Sequence, residues 1–452
     1  MPTIYNFLKD YQFWLHHPHV AALLAVCIPC AIIVGVILGV AGFSTYVERK
    51  VAADIQRRIG PNKCNVGSFF GEWARLMAAN GNDPRANALS KLMARLSALS
   101  LPLFVLTDKI MLRLAPGIVI FMADGLKLLM KEDIIPDPVD KPLFKLAPIL
   151  VMVSALAALA TLPYSDAWYV ADFNIGIFYI VAVTSLEVLG ILMAGWASNN
   201  KWALLGGMRA AAQIVSYELP VGLAIATGIL LTGSMSMQAM TYNQLGWFWH
   251  WNVFNPVMFV LAPVYFLAAL AECNRTPFDI PEAESELVSG YHTEYSSMRF
   301  GLFFMAEYTM MFVTCGIAVT LFLGGWSTGI GPLEKLLTYT PGAAPVFHWY
   351  GTLLHLLVFV TKAYGLILVM MWIRWTLPRF RVDQMMTLCW KKLIPIGVAC
   401  FFLVSVWLVA RMMLVEKLGA FDVASITSAL RLALAGAVII WLAFFFKKEK
   451  TA

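Results

Sequence analysis

The stretch AECNRTPFDIPEAESELVSGYHTEY, residues 271–295, sets six carboxylates between two long apolar runs: Glu272, Asp279, Glu282, Glu284, Glu286 and Glu294. Pro277 and Pro281 prevent a regular helix across RTPFDIPEAE, because proline lacks an N–H and its ring clashes with the preceding turn. The segment therefore reads as a loop that folds against the membrane surface and lines a cavity. Like charges crowded in a low dielectric cannot all ionise near neutral pH, so such a wall holds its protons as a group. Arg275 is placed to pair with one of the loop's own acids. The plainer alternative is a solvated acidic loop that docks on a basic partner.

Further charges sit inside apolar runs, where an Asp, Lys or Arg costs on the order of 3 kcal/mol to insert. They are Glu187, Glu218, Glu272 at a run's end, Glu307 and Lys362. At 1.5 Å per residue Glu187 and Glu218 lie roughly 14 Å from the inner ends of their runs, Lys362 about 18 Å and Glu307 about 10 Å. Separate helices thus offer carboxylates and an amine at a similar level, facing one hydrated file. Grouped intramembrane acids mark ion or proton pathways. The alternative is buried pairs, such as a Glu with Lys362 or Arg209, that only hold helices together.

The elements that must carry these groups are membrane spans. The chain has 452 residues, 60% hydrophobic and only 13% charged, against about a quarter charged in soluble domains. Apolar runs long enough to cross a bilayer predict nine spans, near 20–43, 143–163, 174–196, 208–232, 253–273, 300–324, 352–374, 393–414 and 424–446. The expected fold is an all-α polytopic membrane protein with additional amphipathic interfacial helices. Lys and Arg concentrate in 44–142, 374–392 and the terminal KKEK, which puts those segments in the cytoplasm and the N-terminus outside. The acidic stretch falls on the cytoplasmic side too, so orientation is not the reason for its sign. Leu89, Leu92, Met93, Leu96 and Leu99 recur at helical spacing, as in an amphipathic helix on the inner membrane surface. The stretch 117–130, with Asp124 and Lys127, is too short and too charged to span and reads as an interfacial helix.

The net charge of +6 belongs to these orienting loops and is no nucleic-acid signal. Residues 1–19 form a polar tail with no removable signal peptide. Cys27 and Cys30 make a C-x-x-C inside an apolar run, where packed or lipid-facing thiols fit better than redox chemistry. No spacing suggests zinc or an iron–sulfur cluster, and no facing histidine pair suggests haem.

Six stretches together carry a resemblance: ERKVAADIQRRIGPN (48–62), FMADGLKLLMKE (121–132), GWASNNKWALLGGMRAAAQIVSYE (195–218), ECNRTPFDIPEAESELVSG (272–290), FFMAEY (303–308) and PRFRVDQ (378–384). In this order the chain resembles, over about 20–414, the H-subunit family of the NADH:quinone oxidoreductase, respiratory complex I. Two departures touch no motif: an insertion over about 64–116, and a ninth span at 424–446 beyond the usual eight. The resemblance implies a component of a multisubunit translocase in a bacterial inner membrane, with no redox centre of its own and no metal. It implies quinone as substrate, bound at the interface with partner subunits. Those partners are the peripheral-arm quinone-site and iron–sulfur subunits, the small membrane subunits and the antiporter-like subunits. The quinone cavity would be lined by Glu48, Arg49, Arg58, Asp124, Lys127, Arg275, Asp279, Glu282, Glu284, Glu286 and Arg374. The proton path would run through Glu187, Glu218, Glu272, Glu307 and Lys362. A related ferredoxin-, deazaflavin- or hydrogenase-linked complex is the nearest alternative. An independent transporter would want inverted repeats and a mid-membrane site, and no matched halves are visible.

Overall fold

The computed structural model describes residues 35, 39–62, 117, 120–166, 169–281, 284–332 and 345–418. Every regular element among them is helical. The N-terminal tail, most of the first span, Cys27 and Cys30, the insertion with its amphipathic helix, Glu282, the side chain of Glu284 and the ninth span lie outside the described residues.

The helices are α1 (39–55), α2 (Ile120–Met130), α3 (Lys141–Leu159), α4 (Gly176–Ala197), α5 (Lys201–Thr232), α6 (Pro256–Glu272), α7 (Ser297–Phe322) and α8 (Pro345–Thr376). The last described helix, α9, runs from Val382 to Leu418 through a π turn at Cys389–Leu393. Pro395 lies just beyond that turn, where its ring would crowd the Lys391 carbonyl of a regular helix. Among the described residues six helices are long and apolar enough to cross a membrane, and α6 is a shorter apolar helix. Thus the seven central expected spans are helices. Helix α5 begins seven residues earlier than expected, because Asn200 caps it by accepting from the Trp202 N–H at 3.0 Å, a terminus that apolarity alone does not mark.

The described residues form two compact units. The smaller contains 39–62, 117, 120–134 and 295–301. In it α2 buries no residue, as suits an interfacial helix, and Gly42 of α1 lets the Phe121 ring approach where a Cβ would lie 2.4 Å from it.

In the larger unit α5 is central. It packs against α4, α6, α9 and the turn Gly290–His292. Gly206 makes the last contact possible: a Cβ there would meet Gly290 Cα at 2.7 Å and Tyr291 N at 2.9 Å. Both are backbone atoms, so the segment after the acidic loop would have to move. Gly206→Ala is expected to destabilise the protein by about 1–3 kcal/mol, the usual cost of overpacking. Gly222→Ala, on the same helix with nothing within 4 Å, is the control. Thermal inactivation in membranes compares the two, and equal stability would show that this crossing tolerates the added methyl.

Candidate functional site

Four of the expected intramembrane acids converge in the larger unit. Glu187 on α4, Glu272 at the end of α6 and Glu307 on α7 are buried, and Glu218 on α5 is half-buried. Glu187 lies within electrostatic reach of both Glu272 and Glu307. Glu272 is in turn within reach of Glu218. Glu272 Oε2 has no hydrogen-bond partner among the described residues. Four helices therefore contribute to one connected series of carboxylates.

Lys362 does not share their level. Its Nζ donates to the carbonyls of Leu323 at 2.7 Å, Gly325 at 3.0 Å and Ser327 at 2.7 Å, and it lies over the Trp251 ring at 4.1 Å. Leu323 is sixteen residues beyond Glu307, about 24 Å farther along the axis of α7. The ammonium thus caps the C-terminal end of α7, where carbonyls favour a cation.

The acidic loop is held from two sides. Gln213 of α5 donates from Nε2 to Ala271 O at 2.8 Å, Asn274 Oδ1 at 3.1 Å and Phe278 O at 2.7 Å. From the opposite direction the segment between α8 and α9 docks on the loop. The Phe380 N–H donates to Pro277 O at 2.9 Å, and Arg379 Nη2 bonds Asp279 Oδ2 at 3.1 Å. Phe278 is enclosed by Tyr217 at 5.5 Å and Phe380 at 5.4 Å between ring centroids.

Burial holds the Asp279 carboxyl above the ordinary carboxylate range, with Arg379 offsetting part of the rise, Glu307 adding to it, and Arg374 and Arg275 offsetting a little more. Arg275 acts on Asp279 of the loop and also makes a contact that its spacing does not mark. Arg275 Nη2 meets Glu307 Oε2 at 3.3 Å, and its guanidinium lies 4.3 Å from the Tyr308 ring centroid. Only 5% of the Arg275 side chain is exposed, so this contact lies in the interior. His292 Nε2 is 3.8 Å from the other oxygen of Glu307. Glu286 reaches Arg209 at 2.7 Å with both side chains partly in solvent.

The remaining expected cavity residues are in the smaller unit. Arg49 pairs with Asp124 at 2.7 Å and Lys127 approaches the same carboxylate at 3.5 Å. Glu48 is buried and Arg58 exposed.

Gln213, Tyr217, His292 and Arg379 are not singled out by their spacing. Gln213 is the one with a usable signal, an uncharged polar side chain inside an apolar span.

Residues 105–405 match the profile of a family described as NADH dehydrogenase. Among curated relatives, the chain is 42% identical over 407 residues to the H subunit of NADH-quinone oxidoreductase from Anaeromyxobacter dehalogenans (strain 2CP-C), covering 89% of this chain and 85% of the relative. It is 48% identical over 299 residues to the corresponding H subunit of Chlorobaculum parvum (strain DSM 263 / NCIMB 8327), covering 65% and 80%. It is 37% identical over 397 residues to an H subunit, numbered 2, of Koribacter versatilis (strain Ellin345), covering 83% and 95%.

Proposed function

Because the chain belongs to the NADH dehydrogenase family, with relatives named as the H subunit of NADH-quinone oxidoreductase, we propose that it forms the membrane side of the quinone-binding tunnel and couples quinone reduction to proton translocation. The observation that carries this reading is the unbroken electrostatic series from Glu218 through Glu272 and Glu187 to Glu307, whose partner Arg275 also acts on Asp279 of the acidic loop. Quinone is the substrate and binds against partner subunits. This chain carries no redox centre, and electrons arrive from iron–sulfur subunits of the peripheral arm. The resemblance to the H subunit assigns Glu48, Arg49, Arg58, Asp124, Lys127, Arg275, Asp279, Glu282, Glu284, Glu286 and Arg374 to the lining of the quinone site in this reading. Reduction changes the charge on the quinone, and the acids answer by redistributing protons. Glu272 and Glu218 pass that change to Glu187 and on to antiporter-like partners. The protein sits in a bacterial inner membrane with its N-terminus outside and its C-terminus in the cytoplasm.

In this reading the acids of the loop share the charge change that quinone reduction imposes. Single Gln variants of Glu282, Glu284 and Glu286 are expected to lose little activity, since neighbours take up the missing charge change. Double variants should lose about fivefold more than the product of the singles, a coupling of about 1 kcal/mol. Quinone reductase and proton-pumping assays on the assembled complex, with short- and long-tailed quinones, read this out. Strictly multiplicative losses, or none, would leave a docking loop in place of a coupled cavity wall.

A further inference from the structure

We propose that Gln213 is a positioning residue, a buried amide that fixes the conformation of the acidic loop and ties it to the helix carrying Glu218. The side chain is fully buried, and its Nε2 faces three oxygens spread over residues 271–278. Two of these are backbone carbonyls, which only accept, so the nitrogen end of the amide must point at them. Its own carbonyl oxygen is buried without a partner among the described residues, a penalty by itself. Gln213 is thus used for its donors alone. Asp279 follows directly on Phe278, so the bond to Phe278 O sets where that carboxylate stands.

The same face of α5 also holds the opposite clamp. Tyr217, one turn on, donates to Met385 O at 2.9 Å while its ring packs on Phe278. The loop is pinned between α5 and the 378–385 segment, with Gln213 as its deepest polar anchor. A displacement of the loop is therefore transmitted to α5, five residues before Glu218.

What the loop does in turnover rests on the quinone reading above; its being fixed by Gln213 does not. The test uses the assembled complex with Gln213→Leu and the near-isosteric Gln213→Glu. Two quantities are measured: hydrogen exchange of the amides of 273–281, and the kinetics of reduction of a short-tailed quinone across pH. Gln213→Leu is expected to speed exchange in the loop and to lower kcat about ten- to a hundredfold, the cost of misplacing a group by about 1 Å. An ionised Glu at this position would face three acceptors with no donor, whereas its protonated form donates one O–H. Gln213→Glu should therefore recover relative to the parent as pH falls, while Gln213→Leu should not. Unchanged exchange of 273–281 in both variants overturns the proposal. Faster exchange with unaltered quinone kinetics supports the clamp and instead overturns the placing of this loop at the quinone.

Discussion

Glu187→Gln and Glu218→Gln are each expected to lower quinone reduction and proton pumping together, by a factor on the order of 10², the low end for losing a proton-transfer group. Glutamine keeps the shape and polarity of the side chain and removes only its capacity to exchange a proton. If these residues merely held helices together, each would need a cationic partner, because a buried charge is retained only when paired. Among the described residues Glu307 has one in Arg275, and neither Glu187 nor Glu218 forms an ion pair. Their charged neighbours are other carboxylates, directly for Glu187 and through Glu272 for Glu218. That arrangement suits an exchange of protons along the series and does not suit adhesion. Pumping is measured in membrane vesicles beside quinone reductase rate. Variants that assemble and retain both the parent rate and the parent ratio of protons to electrons would return these residues to a packing role.

How far the sequence could carry these conclusions depends on what kind of signal each feature leaves. Spans announce themselves through apolar runs, so α3 to α9 were all legible, with ends misplaced where caps decide them, as at Asn200 of α5. Counting residues from span ends places a Cα, and it put Glu187, Glu218 and Glu307 at similar depths, where the electrostatic reach of Glu187 extends to Glu307 and, through Glu272, to Glu218. The same count put Lys362 at their level, whereas the ammonium bonds carbonyls at the C-terminal end of α7. Partners across the fold leave no trace in linear order. Arg275 and Glu307 are thirty-two residues apart with a one-turn helix between them, so their contact could not be read from spacing. Arg379 was hidden by its neighbours: among Arg374 and Arg381 it reads as one more orienting charge. Its bond to Asp279 is a contact across the fold that a run of basic residues does not mark.

The Arg275–Glu307 pair gives the largest expected effect on stability. The two side chains are only 5% and 7% exposed, 3.3 Å apart. Arg275→Gln leaves Glu307 with His292 at 3.8 Å in place of a permanent cation, and breaking one side of a buried pair typically costs about 3–5 kcal/mol. Glu307→Gln removes the carboxylate that the guanidinium meets, although the Tyr308 ring at 4.3 Å retains part of its stabilisation. Removing both charges leaves no ion uncompensated, so Arg275→Gln with Glu307→Gln should be less damaging than either change alone implies. The measurement is a double-mutant cycle on the temperature at which the assembled complex loses activity and sheds this chain. Additive losses would mean that the two charges do not sense each other. A recovered double variant that is stable yet slow in quinone reduction would separate the two roles of the pair. Glu307 would then hold α7 in place through Arg275 and also carry the charge change from Asp279 toward Glu187, since a neutral pair can perform the first task and not the second.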